Sequence, residues 1–156
     1  MSSSVLDMAV AEHPFVRGMS ALHLQVLTQC AMLTEFEAGQ IVFHEGDIAN
    51  RFYLIEKGTV SLETHGESNS VIPVQTVGPG DVVGWSWLFP PYYWHFTACA
   101  LEATRAVFFY GTRLRECCED DPEFGYELMR RVAMVLVRRL EATTQESVRL
   151  ASHNEH

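Results

Sequence analysis

The sequence predicts a mainly β domain with flanking helices: a jelly-roll β-roll entered through one helix and left through a long one. Three observations carry this. From Phe36 to Tyr110 apolar residues alternate in short runs cut by glycine turns, which is the period of strands. On either side they recur at spacings of three and four, the period of helices. The 156 residues, 47% of them hydrophobic, suit one domain with a sizeable core.

Residues 1–12 are expected to be a flexible N-terminus, 13–150 the folded domain and 151–156 a flexible tail. Ser20 is suited to cap a helix carrying Leu22, Val26, Leu27, Cys30 and Leu33, ending before Glu35-Phe36-Glu37. Ile41 and Phe43 then alternate with Val42 and His44 up to the turn Glu45-Gly46-Asp47. Tyr53 and Ile55 share a face, and Gly58 breaks the run. Val60 and Leu62 should point inward, with Thr59, Ser61 and Glu63 outward. His65 to Ser70 reads as a polar hairpin loop. Ile72, Val74 and Thr76 share the next face, closed by Gly78-Pro79-Gly80-Asp81. Pro73 has no N–H for a ladder, which puts that run at a sheet edge. Phe96, Ala98, Ala100, Val107 and Phe109 complete the strands.

After Gly111 the period is helical again. Thr112 to Glu119 reads as a short helix, and Asp120-Asp121-Pro122 starts the next. That helix carries the stripe Leu128, Val132, Val135, Leu136 and Leu140. The carboxylates Glu116, Glu119, Asp120, Asp121 and Glu123 gather near its start, where negative charge suits the helix dipole.

The net charge of −9, from 11 Lys+Arg against 20 Asp+Glu, argues against direct contact with nucleic acid. No apolar run approaches the ~18–20 residues of a membrane span, and no leader pattern opens the chain; a cytoplasmic protein is expected. Cys117 and Cys118 are adjacent and could form a vicinal disulfide or redox switch. A reducing cytosol favours two thiols on a short helix, one of them buried. The seven His residues show no ligand spacing, so neither metal nor cofactor is expected. No nucleophile motif, P-loop or dinucleotide-binding glycine pattern is present, and no catalysis is expected.

The run Glu45-Gly46-Asp47…Tyr53-x-Ile55-x-x-Gly58-x-Val60, followed by Gly80-Asp81-x-x-Gly84, resembles the signature of the cyclic nucleotide-binding domains of Crp/Fnr-type regulators. The resemblance covers about residues 13–142. It implies the same β-roll, with glycines at the reversals. It also implies a ligand-binding cassette at Val83, Gly84, Trp85, Ser86, Trp87 and Leu88 and at Trp94, His95, Phe96, Thr97 and Ala98.

The cassette departs from the family pattern at the residues that hold nucleotide. Trp85 stands where nucleotide-binding members place the Glu for the ribose hydroxyl. His95, or Trp94 with a one-residue slip, stands where they place the phosphate Arg. No Lys or Arg occurs between Lys57 and Arg105. Each lost hydrogen bond to a charged group removes roughly 1.5–3 kcal/mol, so cyclic AMP binding of the usual kind is not expected.

Instead, residues 85–96 read W-S-W-L-F-P-P-Y-Y-W-H-F and hold all three tryptophans. About one helical turn is expected over Trp85 to Phe89, ended by Pro90-Pro91. Three readings of the aromatics stand open. They could fill the vacated pocket, line an altered pocket for an apolar or flat ligand, or form a protein-docking patch. His95 beside bulky rings reads as packed or hydrogen-bonded rather than as a haem ligand.

The expected function is a non-enzymatic sensor or adaptor acting on a protein partner or an unidentified small molecule. The alternative is a Crp/Fnr-type regulator acting through a separate DNA-binding partner, because the residues after Leu140 are too few for a helix-turn-helix domain. In Crp-like relatives the long C-terminal helix pairs across a two-fold axis. The apolar stripe could do the same here or pack on the roll, with Arg130, Arg131, Arg138 and Arg139 flanking it in solvent.

Overall fold

The computed structural model describes residues 2–154. Helix α1 (Ser2–Ala11) and α2 (Ala21–Gln29) precede eight strands, β1 (Met32–Phe36), β2 (Ile41–Phe43), β3 (Arg51–Lys57), β4 (Val60–His65), β5 (Val71–Val77), β6 (Val82–Val83), β7 (Thr97–Ala100) and β8 (Thr104–Tyr110). Helices α3 (Gly111–Asp120) and α4 (Pro122–Asn154) follow.

The strands form two antiparallel sheets, in the orders β1-β8-β3-β6 and β2-β7-β4-β5. Period two separates two cores. Tyr53, Ile55, Val83, Ala106 and Phe108 of the first sheet meet Val60, Leu62, Val77 and Ala98 of the second inside the roll. Phe52, Leu54, Val82, Val107 and Phe109 point the other way, onto Leu27, Leu114, Phe124, Leu128 and Val132 of the helices. The first sheet is thus covered on both faces, which is why β3 reads Phe52-Tyr53-Leu54-Ile55 without a polar break. Each fully buried side chain of this size contributes about 1.5–3 kcal/mol.

The local signals act as their chemistry dictates. Ser20 Oγ accepts the His23 N–H at the start of α2. Asp121 Oδ1 accepts the N–H groups of Glu123 and Phe124 at the start of α4. Pro73 lies in β5, at the edge of its sheet.

Four expectations need correction. Residues 2–11 form a helix whose Val10 is fully buried in the helix-side core, because an apolar face gains more from packing than the chain loses in freedom. Helix α2 ends at Gln29, and Leu33 belongs to β1, where pairing with Val107 overrides the helical spacing. Ser61 is buried although it alternates away from Val60 and Leu62; β4 runs between β5 and β7, whose Thr76 and Cys99 stand opposite it. Residues 151–154 of the expected tail continue α4, whereas Met1, Glu155 and His156 lie outside the described residues.

Most of the α4 stripe packs on the roll. Leu128 and Val132 are buried against the roll, and Val135 and Leu136 pack partly against the same core. Only Leu140 of that stripe is exposed. It joins Met129, Val137 and the small Ala133 on an outward apolar face.

Candidate functional site

The cassette begins where β6 leaves β3, with Val83 opposite Tyr53. Gly84 follows at φ +87°. A Cβ here would lie 2.8 Å from the Trp94 ring and 3.2 Å from the Arg51 carbonyl. Only glycine therefore lets the backbone pass so close to that indole. Ser86–Leu88 forms a single 3-10 turn, and the chain is extended again at Phe89, as the proline pair demands.

The aromatic loop is clamped by the first signature turn. Gly46 donates to the Trp94 carbonyl, and Trp94 donates back to the Asp47 carbonyl, both at 2.9 Å. Ala49 donates to Tyr92, and the Glu45 N–H reaches Thr97 Oγ1 at 2.9 Å. The first signature turn and the aromatic loop are thus one hydrogen-bonded unit. Gly58, Gly80 and Asp81 sit at their expected reversals, and Asp81 accepts the Gly78 N–H at 2.9 Å.

The three tryptophans have three different fates. Trp87 is fully buried in the helix-side core, 5.7 Å from Phe52 by ring centroids, with its indole nitrogen unpartnered. Trp94 stacks flat on Phe43, with centroids 3.9 Å apart and planes at 14°. Trp85 faces α4, and the Arg139 guanidinium lies over its ring. His95 is exposed at the surface, with Nδ1 3.2 Å from Ser86 Oγ. Phe43, Leu62, Gly84, Trp85, Ser86, Trp94, His95 and Phe96 line a residual pocket of only about 20 Å³, room for roughly one water. Leu88, Thr97 and Ala98 frame the cassette without adding to that cavity.

Sequence reasoning missed the cations. Arg139 donates to the Val82 carbonyl, and Arg115 donates to the Trp87 carbonyl while stacking on Tyr92. The cassette contains no basic residue of its own, yet α3 and α4 deliver guanidinium groups to its outer side. Arg139 and Arg131 were expected in solvent. Instead Arg131 is tied to the Phe15 and Arg17 carbonyls at 2.7 and 2.9 Å. Burial works against the Arg139 charge, and nearby Asp81 offsets part of that cost. Inside the roll, burial likewise pushes the Tyr53 phenol above its ordinary value, with Arg51 pulling it back.

The family model described as the cyclic nucleotide-binding domain matches residues 33–121. The chain belongs to the cyclic nucleotide-binding domain family. The CRP-like cAMP-activated global transcriptional regulator of Mycobacterium tuberculosis is 28% identical over 138 residues, covering 88% of this chain and 60% of that relative. The chain therefore spans about three-fifths of the length of that curated relative. Among solved structures, a candidate cyclic nucleotide-binding protein from Geobacter metallireducens is 28% identical with a TM-score of 0.74, covering 90% of this chain and 98% of that one. A cyclic nucleotide-binding domain from Methylobacillus flagellatus reaches a TM-score of 0.81 at 14% identity, covering 93% and 83% of the two chains. The latter is a likeness of fold alone. Among the described residues no helix is long and apolar enough to cross a membrane.

Proposed function

We propose that this family member is a non-enzymatic, cytoplasmic regulatory module whose nucleotide pocket is closed by its own side chains. The observation that carries the reading is the Trp94–Phe43 stack against Gly84, which leaves about 20 Å³ where small-molecule sites offer roughly 300–1,000 Å³. Trp85 in place of the ribose-binding Glu, and a loop without cations, support the same conclusion. Signalling then runs through protein contacts. The exposed face of α4 formed by Met129, Ala133, Val137 and Leu140 suits a homodimer, and the acidic chain makes no direct nucleic-acid contact.

The test is thermal unfolding with ~1 mM cyclic AMP or cyclic GMP. A ligand with a dissociation constant near ~10 μM would stabilise the fold by about 2.7 kcal/mol, a shift of roughly 5–10 °C. No shift is expected; a shift of that size overturns the closed-pocket reading. A second reading, transcriptional control through a separate DNA-binding partner, is favoured by the likeness to the mycobacterial regulator.

A further inference from the structure

A groove of about 750 Å³ runs between the Pro14–Gly18 segment, the Gly80–Val82 turn and α4. It is far larger than the cassette cavity and shares no lining residue with it. Arg17, Arg130, Arg131, Arg138 and Arg139 line it. Five of the 11 Lys+Arg residues of a chain with net charge −9 therefore face one concavity. Like charges held this close repel, and an anion between them relieves that cost.

The groove's three carboxylates, Asp81, Glu123 and Glu127, balance its five arginines only in part. Glu127 is engaged by Arg131 at 3.4 Å and by His23 at 3.0 Å, and Asp81 caps Gly78. Among the described residues, the exposed side chains of Arg17, Arg130 and Arg138 make no ion pair. Arg131 is fixed by the Phe15 and Arg17 carbonyls, and Arg139 by the Val82 carbonyl and the Trp85 ring. The cluster thus combines fixed and adaptable guanidinium forks, the geometry that suits phosphate oxygens.

From this arrangement we infer that the α4 groove binds a small anion carrying two or more phosphate groups. Its volume suits a small molecule better than a flat protein contact does.

The test is calorimetric titration of the full chain with sodium tripolyphosphate at ~150 mM salt. One site per chain is expected. The double variant R130Q/R138Q should bind at least about tenfold more weakly, as lost charge-assisted bonds dictate. The charge-matched control R113Q/R149Q, outside the groove, should bind as the unaltered chain does. Melting curves of both variants should match the unaltered chain, because the altered side chains are exposed. Should R130Q/R138Q fold poorly, R17Q replaces it. Absence of binding, equal weakening in both double variants, or binding of hexaglutamate but not tripolyphosphate overturns the proposal. A parallel titration with ATP identifies the source. Tighter binding than tripolyphosphate marks a nucleoside polyphosphate, and equal binding marks an inorganic chain; either ranking upholds the anion site.

Discussion

The Arg139 guanidinium lies 4.8 Å from the centre of the Trp85 ring and donates to the Val82 carbonyl. A residue of the last helix is thereby fastened to both sides of the glycine that opens the cassette. Arg139 thus joins α4 directly to the start of the cassette.

Truncating that link should destabilise the fold. R139A loses the cation–π contact, a charged hydrogen bond and the packed stem, together about 2–3 kcal/mol. R139M keeps the stem and should recover part of the loss. Urea unfolding measures both; an R139A penalty below about 0.5 kcal/mol would show that the contact is incidental.

Inside the roll, W94A should cost about 3–5 kcal/mol by leaving a cavity beside Phe43. Free indole should then raise the melting temperature of W94A and leave the unaltered chain unchanged, since a dry apolar cavity accepts a ring of matching shape. If indole stabilises neither protein, Trp94 does not occupy the space assigned to it.

His13 makes stability depend on pH. Its Nδ1 accepts the Phe15 N–H at 3.1 Å, so Nε2 carries the proton and donates to the Ile55 carbonyl at 3.0 Å. Burial lowers its pKa below the ordinary 6.5. The unfolded chain therefore takes up the proton first. The His13 contribution is complete above pH 6.5 and is lost as pH falls from there towards the lowered folded value. Denaturant unfolding at several pH values should show this slope, and H13N, which keeps an acceptor for Phe15, should flatten it. A slope unchanged in H13N would assign it to other groups.

The cysteine chemistry centres on a pair far apart in sequence. Cys30 Sγ and Cys117 Sγ are 3.7 Å apart, and all four cysteines are free. Burial, and then Cys30 itself, push the Cys117 thiol up to about 11. Oxidised glutathione should yield a Cys30–Cys117 disulfide, faster at pH 9 than at pH 7 because the thiolate is the attacking species. Peptide mass spectrometry should find that link in C118S and not in C30S. A Cys117–Cys118 product instead would favour the vicinal pairing.

Alternation and punctuation determined most of the architecture. Period-two runs, glycine turns, the Ser20 and Asp121 caps and the position of Pro73 are local signals, set by backbone sterics and by hydrogen bonds a few residues long. The same locality let the motif turns and the aromatic cassette be read directly. Only the tertiary structure decided what each aromatic side chain faces. Trp85, Trp87 and Trp94 look alike in sequence, yet one meets α4, one the helix-side core and one Phe43. Periodicity likewise could not say that Leu128 and Val132 face the roll while Met129 and Val137 face outward, nor that Arg139 reaches Trp85. A period states which residues share a face; what that face meets is set by packing between segments distant in the chain, where burial of area outweighs any local preference.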